Sequence, residues 1–566
     1  MLSCCSLLSS APLENIPIRL TQPDGSVINC YTSGDEFYHW LHDSIGNIII
    51  KDSTSHYYCY RVENSDSLVI VRNDMISTLR FAKNTRDFPN SRRESCDRNP
   101  LFPQRPYQFT LKEDRSNTTI NNIVIFITFA DQSDFTTGLI DSISDMFNNS
   151  APSANSVKQY YWESSYHQLN VPSFLFPSGT NVFSYQDMFP RAYFCPYSSE
   201  NLLGYPEGGN IRLYREQTML LRALSYVQSQ IPSTLNIDSD NDGCVDNICF
   251  VIKGGTTEWN TLLWPHKWEM ALAYLINGKL VYNYNLQLSD YIISHGMGVL
   301  CHEFGHTLGM PDLYHGYPDS GGHTWKPVGR WDIMASNGIL PQQTSCYMKY
   351  KYLHWIDDIP EITRSGRYSL SPITSSTQCY KIHIAGSNEF LFLEYREKTQ
   401  PYDTYIPRSG LIIYRINPSK NGNFNATECG GIDDEVYVYR PNGNFTSDGL
   451  LNLAPFCIEL SATEFNATTN PQQFLSNGNL GNIFISNVSE CGAYISFDVK
   501  ICMSNDITYN QDDIIPQYTN ANAITTIGDV NITNNTIFEA SESIMLNAGF
   551  KVSGGAPFEA LIEPCE

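Results

Sequence analysis

The 566-residue sequence is short of charge, and of positive charge above all. Charged residues make up 17% of it, below the ~25% usual in soluble domains. Only 36 Lys and Arg stand against 59 Asp and Glu, a formal net charge of −23. That balance lacks the basic footprint that displaces counterions from nucleic acid. It is equally unsuited to docking on anionic lipid. No run in the body of the chain reaches the ~18 consecutive apolar residues of a membrane-spanning helix. The 16 cysteines form no Cys-x-x-Cys pair, which argues against a cysteine-type structural zinc site. A Gly-x-Ser-x-Gly elbow is missing, and so is a Gly-rich lysine loop for phosphate. Aromatic and amide residues take the place of charge, with 35 Tyr, 28 Phe and many Asn and Ser. The apolar fraction of 42% is enough for real cores, and the length calls for more than one domain.

Organisation follows from local texture. Residues 1–11, MLSCCSLLSSA, read as the remnant of a secretory leader without its basic start. The cysteines beyond Cys4 and Cys5 are dispersed, a pattern suited to disulfides in an oxidising compartment. The nearest candidate pairs are Cys244 with Cys249 and Cys491 with Cys502. Residues 12–115 form a first unit, where PDG and IGN punctuate short alternating runs and predict hairpins. Its end, Asn84 to Asp114, is polar and rich in Arg and Pro, an exposed linker suited to proteolytic cutting. The apolar, β-branched run Ile123 to Asp131 predicts a strand buried on both faces. Helices are predicted from Ser156, a candidate N-cap, and over Glu216 to Ile231. After Pro360 short strand-like segments alternate with Gly, Asn and Pro up to about Lys500. The last 501–566 stretch reads as a small stacked-strand module.

The strongest chemical signal is HGMGVLCHEFGHTLGMPDLY, His295 through Tyr314. His302 and His306 stand at i and i+4, so a helix puts both imidazoles on one face, where they can bind one zinc ion. Zinc lowers the pKa of a bound water, and Glu303 is placed to take its proton as general base. Gly309 permits a left-handed turn that ends the helix, and Pro311 blocks its continuation. Asp312 can then return a carboxylate to the metal as third ligand; His315, His323 and a distant Glu are its rivals. The spacing reads HExxHxxGxxD. Met334, in GRWDIMASNG, is similar to the Met-turn beneath the metal of metzincin proteases, with Asp in place of their commoner third His.

HEFGHTLGMPDLY, WDIMASNG and PQQTSCYMKYKYLHWID closely resemble the immune inhibitor A family of secreted metallopeptidases. TQPDG, SGDEFYHW, IVIFITFAD, SVKQYYWESSY, EFLFLEYREK and SGLIIYRI extend the resemblance over roughly residues 18–420. It implies an α+β architecture: a propeptide over 12–115, a zincin-like catalytic domain over 116–365, and a β-rich, sandwich-like domain over 366–500. The implied activity is endopeptidase cleavage of extracellular proteins by a secreted enzyme made as a latent precursor. SIMLNAGFKVSGGAPFEALI separately resembles a C-terminal module of exported Gram-negative proteins, which implies export or cell-surface association.

A second metal site is expected in IDSDNDGCVD. Asp238, Asp240, Asp242 and Asp246 surround Gly243 as in a calcium loop, although Cys249 stands where an EF-hand has its Glu. The alternative is an acidic solvated turn. His266, in LLWPHKWEM, reads as a core or surface histidine before a substrate-holding one.

Overall fold

The computed structural model describes residues 13–34, 39–52, 55, 57–61, 68–71, 118–179, 182–199, 201–206, 211–255, 264–316, 325–399, 402–424, 426, 434–503 and 505–564. The leader-like start, the Arg- and Pro-rich linker and His323 lie outside them. The chain divides into two compact units. One comprises Met1–Asp357, Lys398–Pro407 and Asn421–Cys429; the other comprises Asp358–Glu397, Arg408–Lys420 and Gly430–Glu566.

In the first unit, six strands from Leu13–Thr21 to Leu68–Ile70 pair in sequence order, each antiparallel to the next. The first turn closes at the expected PDG, where the Gly25 N–H donates to the Gln22 carbonyl at 2.9 Å. Alternation places Ile18, Leu20, Ile28, Cys30, Leu41 and Ile49 in one small core.

A second, mixed sheet carries the chemistry. Its order is Ser173–Phe176, Asn122–Thr128, Ile248–Ile252, Lys279–Leu288 and His266–Ile276, and Tyr185–Gln186 also pairs with Asn122–Thr128. The first four strands run parallel, and the edge strand His266–Ile276 is antiparallel. Asn122–Thr128 is buried along its whole length, as a continuous apolar run requires when both faces are covered. One cover is the helix Ile211–Val227, which buries Met219, Leu220, Ala223, Leu224 and Val227 against that strand and Ile248–Ile252. This helix begins before the predicted Glu216; its first turn exposes Ile211 and Tyr214 and so lies outside the apolar stripe that marks the rest. Ser156 caps the helix Val157–Ser164 as predicted, its hydroxyl accepting from the Gln159 N–H at 3.0 Å.

The second unit is built of strands. Gly366–Leu370, Ile495–Ile501 and Ile483–Ser486 form one antiparallel sheet. Tyr380–His383, Phe390–Arg396, Gly410–Ile416 and Val436–Val438 form another. Leu370, Ile485 and Phe497 from the first share a core with Leu391, Leu393 and Ile413 from the second. The tail departs from antiparallel pairing. Ile507–Asn510, Tyr518–Ile527, Thr536–Leu546 and Phe558–Ile562 stack in parallel and in sequence order, with no helix between them. Asn531–Ile532 and Lys551–Val552 make a second parallel ladder, so the chain coils rather than crossing over through a helix.

Neither expected disulfide forms. Cys249 and Cys491 carry free thiols, whereas Cys502 is disulfide-bonded elsewhere. Nearness in sequence misled here. Cys249 lies within a strand paired on both sides, where its direction is set by the sheet.

Candidate metal centre

The strand Lys279–Leu288 leads through the short helix Ser289–His295 into the helix Met297–Thr307, which carries the HExxH motif. Every residue of this second helix is buried. A helix buried all round is expected to be apolar, so two histidines and a glutamate there need compensation. Gly309, at φ +94°, ends the helix in the left-handed region, and a Cβ there would meet nothing within 4 Å. The glycine is therefore used for its backbone freedom and not for space. The chain turns back, and Asp312 faces the two histidines.

The first feature of the site is how the rings are held. His302 Nδ1 lies 2.9 Å from the Ile333 carbonyl, and His306 Nδ1 lies 2.8 Å from the Met310 carbonyl. Satisfying both carbonyls puts a proton on each Nδ1 and leaves each Nε2 with a lone pair. The two Nε2 atoms are 3.0 Å apart, and Asp312 Oδ1 is 3.2 Å from one and 3.3 Å from the other. Asp312 Oδ1 has no hydrogen-bond donor among the described residues. Three buried lone-pair atoms thus converge on one point. Tetrahedral zinc with bonds of about 2.0–2.1 Å would hold its ligand atoms roughly 3.3–3.4 Å apart, so these donors fit such an ion. His315 is buried nearby in sequence but does not belong to the converging group.

Electrostatics agree with a ligand set. Burial pushes the Asp312 carboxyl up, but the two imidazoles outweigh it and hold the group down at about 2. It is therefore an anion at neutral pH, as a metal ligand must be. Burial works against a charged His302, yet the adjacent Asp312 carboxylate, helped by Glu303, raises its pKa. Protons and metal compete for that Nε2. Glu303 is buried and shares a small cavity with Asn122, Asn247, Asn285 and Gln287.

Met334 sits under this helix. A Cβ on Gly305 would lie 2.9 Å from Met334 Sδ and 2.6 Å from Met310 Cε, so the helix rests on both methionines. The turn bearing Met334 is organised by Asp332, which accepts from the Met334 N–H at 2.9 Å, the Ser345 N–H at 2.8 Å and the Thr344 hydroxyl. The Met334 carbonyl accepts from the Leu313 N–H at 2.9 Å, which ties the turn to the Asp312 segment.

Several contributors carried no signal of their own in the sequence. Tyr161 donates to the Cys301 carbonyl at 2.5 Å and packs on Phe304, buttressing the back of the helix. The Asn423 N–H donates to the Asp312 carbonyl at 2.8 Å, and its amide donates to the Leu313 carbonyl. Asn122, Asn247, Asn285 and Thr307 form a buried hydrogen-bonded chain across the sheet to the helix end. His266 is a core residue: Nδ1 meets the Trp264 carbonyl and Nε2 meets Glu216 at 3.1 Å.

The acidic loop brings together Asp238, Asp240 and Asp246, whose oxygens lie within 4.8 Å of one another. Asp242 instead accepts from the Cys244 N–H. The Lys279 ammonium sits 2.6 Å from Asp238 and already brings a cation to the loop, so the calcium expectation gains no support. Burial, with the neighbouring carboxylates, pushes Asp246 up to about 7 and Asp240 up to about 6.

Among the described residues no helix is long and apolar enough to cross a membrane. Comparison with curated proteins finds no match. Residues 240–346, the stretch holding the His–His–Asp cluster and the Met334 turn, match the model of the immune inhibitor A peptidase M6 catalytic domain, which supports an immune inhibitor A-like metallopeptidase.

Proposed function

We propose that the chain is a secreted, zinc-dependent endopeptidase of zincin-like catalytic fold, acting on extracellular proteins. The observation that carries the reading is the triangle of His302 Nε2, His306 Nε2 and Asp312 Oδ1, with edges of 3.0, 3.2 and 3.3 Å. Zinc bound there supplies Lewis acidity toward a peptide carbonyl and acidifies water. Glu303 accepts the proton of the attacking water and delivers it to the leaving amine. Ile333 and Met310 fix the histidine tautomers through their carbonyls, and Asp312 supplies the anionic ligand. Met334 supports the helix from below and moves no proton.

The architecture proposed with this activity is a latency-conferring propeptide over 12–115, a catalytic domain over 116–365, a β-rich domain over 366–500 and a tail module over 501–566. The tail is proposed to serve export or surface association. Calcium is left out of the proposal because Lys279 already occupies Asp238.

Casein digestion with and without a chelator tests the reading, with the Glu303→Gln protein as control. Chelator-sensitive cleavage, lost in the variant while zinc stays bound, is expected. Full cleavage by the variant would refute the base assignment. No cleavage of casein or mucin by the zinc-loaded chain, with or without residues 12–115, would favour a non-catalytic surface protein. Cleavage of mucin alone would mark a glycoprotein-restricted protease. A form lacking residues 12–115 should be more active than the full chain, and equal activity would remove the latency proposal.

A further inference from the structure

A second cluster of reactive side chains lies far along the chain from the HExxH motif. Cys457, Glu459 and Cys491 bring their sulfur and carboxylate atoms within 4.8 Å of one another. Both thiols are free; Cys457 is buried and Cys491 half-buried. The backbones that carry them are held together independently of the sulfurs. Ile458 N–H donates to the Ser489 carbonyl at 3.2 Å, and Cys491 N–H donates to the Glu459 carboxylate at 3.2 Å. Tyr395 donates to the carbonyl of Gly492 at 2.9 Å and fixes the far side of the same loop.

We propose that Cys457 and Cys491 close to a disulfide when the protein meets a low-molecular-weight disulfide. A disulfide needs its sulfurs about 2.05 Å apart, and sulfurs already within 4.8 Å on pinned backbones close that gap by side-chain rotation. Cys502, in the same unit, is already oxidised. A soft metal ion is the competing ligand for two thiolates and a carboxylate. It is disfavoured because the group offers three donors where a closed structural zinc site takes four, and because the exposed Glu459 carboxylate is already engaged by the Cys491 N–H.

The order of events follows from the two thiols. A hydrogen bond from Cys457 lowers the pKa of the Cys491 thiol, which is also the more accessible. Its thiolate attacks one sulfur of the external disulfide, forming a mixed disulfide and expelling one thiolate. Cys457 then loses its proton, attacks Cys491 Sγ and expels the second thiolate. Two protein thiols are oxidised by two electrons, and one external disulfide is reduced to two thiols that carry off the protons.

The test uses the full chain equilibrated with oxidised and reduced glutathione, alkylated while denatured, and digested without reductant for mass spectrometry. The expected product is one cross-linked peptide pair joining Cys457 to Cys491, lighter than its two halves by two hydrogen atoms and separated by reduction. In Cys457→Ser, Cys491 is expected to accumulate as its glutathione adduct, and in Cys491→Ser, Cys457 should be alkylated. Full alkylation of both cysteines in the parent chain would overturn the proposal, as would a bridge from either to a different cysteine. Protection of both thiols that is relieved by a chelator, with release of an equivalent of zinc, would replace the disulfide with a metal site. The measurement on the parent chain stands even if a variant folds poorly.

Discussion

Gly305→Ala probes the contact between the motif helix and the turn below it. The added Cβ would stand 2.6 Å from Met310 Cε, 2.9 Å from Met334 Sδ and 3.4 Å from the Tyr161 hydroxyl. Carbon contacts are comfortable at roughly 3.5–4.0 Å, so something must move by nearly 1 Å. The Met310 methyl can swing away. Met334 has less room, because its N–H is bound by Asp332 and its carbonyl by Leu313. Overpacking of this kind costs about 1–3 kcal/mol, and replacing a helical Gly by Ala returns about 1 kcal/mol. A net loss near 1 kcal/mol corresponds to about 2–4 °C in melting temperature for a domain of roughly 150–250 residues. The metal should feel more than the fold does. The Ile333 carbonyl that orients His302 precedes Met334 in the chain, and disturbing such an orienting partner typically costs about 10–100-fold in metal affinity. Scanning fluorimetry and competition with a zinc-chelating dye read the two effects. An unchanged or higher melting temperature with unchanged zinc affinity would refute the reasoning. The double variant Gly305→Ala, Met310→Ala should lose less than the sum of the single changes, because they share one clash.

Asp312→Ala should weaken zinc retention far more than it lowers melting temperature in the metal-free protein; equal zinc occupancy in dialysis would move the third ligand elsewhere. The raised pKa of Asp246, about 7 against about 3.9 unfolded, means that the folded chain holds a proton the unfolded chain does not. Its contribution is full below about pH 4 and is lost as pH rises through about 7, on the order of a few kcal/mol at most. Asp246→Asn should therefore gain in melting temperature relative to the parent between pH 5 and pH 8 in calcium-free buffer, and a pH-independent difference would contradict this. Glu216→Gln removes the charge facing His266 and Tyr284 in the core, with an expected loss of about 1–3 kcal/mol by denaturant titration; an unchanged midpoint would show the network to be energetically idle.

Local rules made some of this molecule legible in advance. Ser156 as a cap, Gly309 as a terminator and the fully buried strand at Asn122–Thr128 each follow from a few adjacent residues. The spacing of His302, His306 and Asp312 anticipates a convergence that needs only one helix and one turn. What could not be read depends on chain segments distant in sequence. Asn423 meets Asp312 across more than a hundred residues, and Tyr161 meets Cys301 across 140. Cys457 meets Cys491 where two loops are tied by the Ile458 N–H and the Ser489 carbonyl, which pairing by nearness in sequence cannot see. The calcium expectation met the same difficulty, since Lys279 belongs to a strand some forty residues beyond the acidic loop.

The carbonyls that hold the two imidazoles come from different places, Ile333 in the turn and Met310 just after the helix. Any ion gripped by both rings therefore rivets these two segments, and its affinity includes the free energy of docking them. By mass action a ligand at a hundredfold excess over its dissociation constant adds about 2.7 kcal/mol to the native state. Were zinc the ion held there, its scarcity would shorten the lifetime of the folded chain, so starved molecules would be the first lost to proteolysis.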